Sequence, residues 1–465
     1  MNFKIFRVLF PFLLLLLFLS SCEKKSKNED PVSPEKISLE VSSCEGCHTN
    51  YDYLKEIYTP DPPSEGAGGC GGEAPHIEPY DRVYMGGEGY QEFKSGIHGK
   101  LECVTCHNGV GNSGDKSVAH SGDFISHPST MAEEKCGSCH NTISEQTKNS
   151  LHANGWGQKS MVSLRYGAGN GPEAFNSLPE HLKEGYGDNC GHCHGTCGDC
   201  HVNRPSAGGG GLLNNHAFKK TPDMIENCVA CHVSRGGHAY LGRAIGTVPD
   251  VHLSKLGYQC TDCHTANEVH GDGKYYNQRY SMSMLPKCEN CHSGIEASNA
   301  YHQQHLQSFN CQVCHSQDYN NCGSCHIHGE GARIPSYQGF KIGMNPLVST
   351  SKPMYEMALL RRSLTAPDSW KEYGVDNLSD FSVRPTYKYT TPHNILKWTT
   401  RTGVKNQDGT WLPYPVCSDG CHIYSAGDTV MNKNLYLFKS DLEDWEIEAT
   451  EGITVDGKLP QSWPQ

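Results

Sequence analysis

The chain has 465 residues, among them 50 Gly, 25 Pro, 24 Cys and 26 His, with 36% hydrophobic and 19% charged residues. Gly and Pro together make up about 16% against a usual ~12%, and the apolar fraction is low, which speaks against a large enzyme fold built on a side-chain core alone. The formal net charge of −12 argues against nucleic acid as a partner, because phosphate binding needs a basic face. So many Cys and His residues also argue against disorder throughout, since they imply cross-links or metal.

The amino terminus reads as an export signal. Lys4 and Arg7 precede an apolar run from Val8 to Leu19, too short to span a bilayer but long enough for a signal-peptide core. It ends Leu19-Ser20-Ser21-Cys22, which resembles the lipobox of bacterial lipoproteins. The resemblance implies removal of residues 1–21, a lipid on Cys22 and an anchor in the outer membrane. Residues 22–40 are polar and rich in Lys, Ser, Pro and Glu, the composition of a flexible tether.

Ten C-x-x-C-H motifs follow. Their cysteines are Cys44 and Cys47, Cys103 and Cys106, Cys136 and Cys139, Cys190 and Cys193, Cys197 and Cys200, Cys228 and Cys231, Cys260 and Cys263, Cys288 and Cys291, Cys311 and Cys314, and Cys322 and Cys325. Each is closed at once by a histidine: His48, His107, His140, His194, His201, His232, His264, His292, His315 or His326. An eleventh site, Cys417-Ser-Asp-Gly-Cys421-His422, carries one extra spacer residue. Only Cys22 and Cys70 are left over, the latter in a Gly-rich stretch.

Two cysteines three positions apart share one side of a helical turn. They can reach both vinyl groups of one haem, and the adjacent His then faces the iron; this is the c-type haem attachment signature. Zinc ribbons and iron–sulfur sites also use C-x-x-C but do not require the following His. Chance placement of His after all ten pairs would have odds on the order of one in 10¹² at this His content. The sequence therefore predicts haem c at ten motifs. The longer Cys417 site resembles a spacer variant of multihaem cytochromes and gives an eleventh haem, with a disulfide or bare dithiol as the other reading.

Eleven His are proximal, which leaves fifteen for the opposite faces of the irons. The distal candidates are His76, His98, His120, His127, His152, His216, His238, His252, His270, His302, His305, His328 and His393. His192, between two motif cysteines, is the weakest of the rest, and His181 is also set aside. His98, His252 and His305 lie shortly before the motifs at Cys103, Cys260 and Cys311, a placement common for distal ligands in small multihaem cytochromes. Met is sparse, so bis-His sites of low potential are expected.

Ten motifs fall within residues 44–326, about 28 residues each, too few to bury a core unaided. The expected fold is a multihaem cytochrome c: loops and short α-helices wrapped around closely packed haems, with little β-structure and a haem-dependent core. Residues 41–330 form this ten-haem part. Ser177–Gly185 and Pro222–Val233 are short helix candidates, the first capped by Ser177 and stopped at Gly185, the second carrying the Cys228 motif. Residues 331–465 read as a carboxy-terminal appendage around the last haem, with strand-like runs at Arg384–Thr391 and Lys433–Lys439. His393 is its natural local ligand for the Cys417 haem.

The ten motifs together with the lipobox resemble bacterial multihaem c-type cytochrome lipoproteins over roughly residues 22–326. The resemblance implies electron transfer in the periplasm or at the outer membrane. Its partners would be other redox proteins or an extracellular electron acceptor, in some members with a porin or by self-assembly into filaments. The competing expectation is a multihaem reductase with one open haem, acting on nitrite, hydroxylamine or tetrathionate. The irregular Cys417 site, with Tyr414, Tyr424 or His393 nearby, is where it would sit.

Overall fold

The computed structural model describes residues 41–62, 75–193, 195–244, 246–276, 278–319, 340–347, 355–362, 368, 370–377 and 384–464. The signal segment, Cys22, the tether, Cys70, His194 and the Cys322–His326 motif with His328 lie outside the described residues.

Short helices and turns dominate, with little sheet. The reason is local: most described motifs form roughly one helical turn that ends at or just after the motif histidine. Examples are Cys44–His48, Cys103–His107, Cys197–His201, Cys311–His315 and Cys417–Cys421. Side chains supply the caps that such short helices need. Ser43 Oγ accepts from Gly46 N at 3.0 Å. Asp199 and Asp262 each accept from the backbone N–H three residues earlier, that of Thr196 at 2.8 Å and of Gln259 at 2.6 Å.

Of the two helix expectations, one needs correction and one is met. Ser177 ends the helix Pro172–Asn176 rather than starting the next, which runs Glu180–Cys190 through Gly185. Gly185 is no stop signal: a Cβ there would collide with the Trp370 ring. It serves a close approach inside the cluster of Trp156, Val162, Phe175, Leu178, Leu182, Tyr186 and Trp370. The second candidate is helical as expected and carries the Cys228 motif: a wide π-helical stretch at Met224–Val229 runs directly into an α-helical turn at Ala230–His232. It is capped by Asp223, which accepts from Ile225 N and Glu226 N.

The carboxy-terminal part holds an antiparallel sheet, β1 (Phe340–Met344), β2 (Met357–Arg362) and β3 (Tyr387–Tyr389), in the order β1-β2-β3. A hairpin of β4 (Tyr424–Ala426) and β5 (Thr429–Met431) stands apart. The run Arg384–Thr391 thus contributes only β3. Lys433–Lys439 is not a strand: a tight turn at Lys433–Leu435 leads into a single bridge between Tyr436 and Ile342. Tyr436, Leu437 and Phe438 are all buried, so the alternation a half-exposed strand requires is missing.

This part has a core of its own. Ile342, Met357, Leu359, Ile423, Tyr436, Phe438, Val455 and Leu459 pack with Val313 of the Cys311 motif. The appendage is thereby seated on that motif. Arg401 adds polar staples, its guanidinium donating to Val313 O and Asp318 Oδ1, both at 2.6 Å. Thr399 Oγ1 donates to Cys314 O at 2.6 Å.

Arg362 and Glu446 form an ion pair with no exposure on either side chain, and Thr386 Oγ1 donates to Glu446 Oε1. Removing one partner of such a pair strands a buried charge, at a cost of about 3–5 kcal/mol. Glu446→Ala is therefore expected to lower the unfolding free energy of the carboxy-terminal part by that amount, seen as a lower midpoint in urea. An unchanged midpoint would show that the pair contributes nothing.

Candidate functional site

The histidines are arranged in pairs. Nine times, a motif His faces one non-motif His with ring centroids 6.0–6.2 Å apart. In order of motif, the pairs are His48 with His120, His107 with His216, His140 with His98, His201 with His270 and His232 with His152. The remaining four are His264 with His393, His292 with His252, His315 with His302 and His422 with His305.

That separation is too long for stacked rings in contact, and it recurs with interplanar angles from 18° to 70°. Ring–ring attraction would not hold a distance constant while the angle roams. Two imidazoles on opposite faces of one metal ion would. A metal–nitrogen bond of about 2 Å on each side, plus about 1 Å from nitrogen to ring centre, gives roughly 6 Å. The residues present fit a haem iron between each pair.

The second ring nitrogens agree. A ligating His usually gives its other N–H to a carbonyl or carboxylate, which fixes tautomer and orientation. His48, His107, His201 and His315 place Nδ1 2.7–3.1 Å from the carbonyls of Val83, Ile125, Lys219 and Leu396. His302 and His305 do the same with Ile295 and Tyr301, at 3.1 and 3.0 Å. His252 uses Asp250 at 2.8 Å and His264 uses Glu268 at 2.9 Å. Each arrangement leaves Nε2 free to face a metal.

Burial favours the neutral imidazole that binds metal. It lowers His48, His107 and His152, and it takes His216 and His393 down to about 4. His264 moves up instead, through its hydrogen bond to Glu268.

Backbone strain also converges on a pair. Asn214, Asn215 and His216 are consecutive non-Gly residues with φ of 53°, 50° and 73°. Such conformations cost of order 1–3 kcal/mol each and persist where surroundings impose them. They carry His216 to His107. Gly89 makes room, since a Cβ there would collide with Asn214 O. Phe218 lies against His98 at 4.0 Å and within 5.6 Å of His216, an aromatic contact between two pairs that no sequence motif marks.

The motif cysteines form a second network. None of those described is in a disulfide. Cysteines of different motifs are close enough to perturb one another's thiol: Cys136 with Cys197, Cys193 with Cys231, Cys228 with Cys260, and Cys288 with Cys311. Cys103 has Cys44 as an electrostatic neighbour, Cys136 has Cys106, Cys263 has Cys291, and Cys314 has Cys417 and Cys421. With Cys200 an electrostatic neighbour of Cys228, and Asn227 Nδ2 donating to Asp199 O at 2.8 Å, the described motifs follow one another as neighbours from Cys44 to Cys417, with the Cys190 motif beside Cys231. A cleft of about 280 Å³ opens beside Cys200 and His201.

Among the described residues no three Cys, His, Asp or Glu side chains converge as a metal-ion site. Zinc and iron–sulfur sites need about four such donors around one point, so the described arrangement does not favour them.

The placements differ from sequence proximity. His98, His252 and His305 each face the His of a different motif from the one they precede. His393 does not face His422. It faces His264, because Ile395 is tied to Asp250 and Val251 by backbone hydrogen bonds, Ile395 N donating to Asp250 Oδ2 at 2.6 Å and Val251 N to Ile395 O at 2.8 Å. His305 takes the place opposite His422, with Trp463 4.9 Å from His422. Tyr414 and Tyr424 are exposed. The extra spacer of the Cys417 turn is accommodated at Gly420, where a Cβ would press on Thr400 O at 2.7 Å. His76, His127 and His238 face no motif His in these pairs. The His192 side chain lies outside the described ones.

No family model, no curated protein and no solved structure matches the chain. Among the described residues no helix is long and apolar enough to cross a membrane.

Proposed function

We propose that the protein is an electron carrier built on about eleven covalently attached c-type haems, nine of them held between the histidine pairs above. The observation that supports this most strongly is the recurrence of one separation, 6.0–6.2 Å, across nine pairs that each join a motif His to a non-motif His. When bound, the group supplies one-electron Fe(III)/Fe(II) chemistry.

The chain's residues do the rest. The paired cysteines would fix each group covalently, and the two facing histidines would hold its iron, leaving no open position for a substrate. The Nδ1 acceptors hold the rings in place. The nearness of cysteines from different motifs would keep neighbouring groups close, as a relay requires. His305 opposite His422 fills the face that a reductase reading needs at the irregular site.

The amino-terminal Leu19-Ser20-Ser21-Cys22 pattern supports export and lipid anchoring at the outer membrane. The fitting partners are redox proteins or an extracellular acceptor. Each haem adds two propionates to a chain already at −12, so a basic partner surface would be steered to it.

The test is a haem count by pyridine haemochrome on the purified protein, with stopped-flow oxidation of the reduced form by a small soluble redox dye. The expected result is ten or eleven haems per chain, all oxidised rapidly. Slow or partial oxidation would remove the carrier reading, and steady turnover of nitrite, hydroxylamine or tetrathionate would replace it with a reductase. With a basic protein acceptor, the second-order rate should fall as salt screens the attraction; a salt-independent rate would contradict the steering.

A further inference from the structure

Six of the eight anchored imidazoles give Nδ1–H to a neutral carbonyl; two give it to a carboxylate. His252 Nδ1 lies 2.8 Å from Asp250 Oδ1, and His264 Nδ1 lies 2.9 and 3.0 Å from the two oxygens of Glu268. The Asp250 side chain is 2% exposed and that of Glu268 10%, so water screens neither charge strongly. His252 faces His292 and His264 faces His393. These two pairs belong to successive motifs whose cysteines, Cys263 and Cys291, are neighbours.

We propose that Asp250 and Glu268 are positioning residues that hold two adjacent haems, in the second half of the array, at its lowest reduction potentials. This rests on the haem reading of the pairs. A carboxylate on the ligand's Nδ1–H makes the imidazole a stronger donor. Its negative charge in a poorly screened site favours the ferric over the ferrous state. Reduction adds one electron to Fe(III), and the Nδ1 proton stays on the ring. Arg279 is the opposing charge near His264 and His393. It is solvent-exposed and donates to the Tyr280 hydroxyl, so the direct Glu268 contact outweighs it. Electrons crossing the array would meet an uphill step at these two positions, which would set the speed of transfer between its ends.

The test is a potentiometric titration of the holo-protein followed in the visible band, with dithionite as reductant. The wild type, Glu268→Gln, Asp250→Asn and the control Glu133→Gln are compared. Glu268 makes no other hydrogen bond that Gln would lose, whereas Asp250 also caps His252 N and accepts from Ile395 N. Glu268→Gln therefore decides the matter if Asp250→Asn does not accumulate. Glu133 is exposed and pairs with Lys148.

In Glu268→Gln, one haem's share of the most negative step should move positive by at least tenfold in its ferric/ferrous ratio, about 59 mV for a one-electron couple. Glu133→Gln should leave the curve in place. An unmoved low-potential step in Glu268→Gln, or an equal shift in Glu133→Gln, would overturn the proposal while leaving the haem reading intact. A pyridine haemochrome assay without covalent haem would instead bring down that reading itself.

Discussion

Produced in a host that does not attach haem, residues 41–319 are expected to remain unfolded and to be digested rapidly by added protease. Their buried apolar residues are sparse: Leu54, Met85 and Tyr90 stand apart, and the largest group is the cluster around Trp156, six of whose buried residues belong to this segment and one, Trp370, to the carboxy-terminal part. Segments this short gain too little from burial to offset their conformational entropy. Attachment and folding are then one event, as in metal-dependent small domains. The loss is total rather than graded, and circular dichroism with limited proteolysis reads it directly. A compact, protease-resistant apo-form would contradict the account. The carboxy-terminal sheet marks the contrast, because Leu359, Leu360, Tyr387, Tyr436 and Leu437 are buried against one another without help.

The second large effect is local. His393→Ala should convert one haem of about eleven from six- to five-coordinate and let it bind carbon monoxide. His393 faces His264 alone among the described motif histidines. No other described His is paired with that position, so nothing replaces it. The ferrous protein should show a new carbon monoxide difference signal worth one haem, and the potential of that haem should rise with the loss of a donor ligand. The neighbouring pairs should be untouched, since each has its own two ligands. If the signal appears at the Cys417 haem instead, the pairing of His393 is wrong and the sequence-local assignment is restored.

The cysteine motifs and their proximal histidines were legible because their chemistry is local: two thiols and an imidazole within one helical turn. Distal partners were not. His393 lies 129 positions from His264, and hydrogen bonds of the following residues, Ile395 to Asp250 and Val251 among them, bring it there. His216 needs three consecutive left-handed residues, which nothing in Asn214-Asn215-His216 announces beyond the tolerance of Asn for that conformation. The expected stop at Gly185 failed because its purpose is contact with Trp370, not chain reversal. Glu268 was within reach of sequence reasoning, since it stands four residues after His264 at a helical spacing. Asp250, two residues before His252 and serving also as a helix cap, carried a more ambiguous signal. The core of the carboxy-terminal part was underread: its aromatic residues signalled packing, but the sheet register depends on pairings such as Ile342 with Leu359 that no local pattern specifies.

The most direct test of the nine pairs is the carbon monoxide difference spectrum of the fully reduced wild-type protein, scaled to its haem count. Nine irons held between two histidines give no signal, so the account predicts carbon monoxide binding at no more than two of eleven haems, those of the His194 and His326 motifs. Binding at three or more would mean that at least one of the nine pairs does not hold an iron.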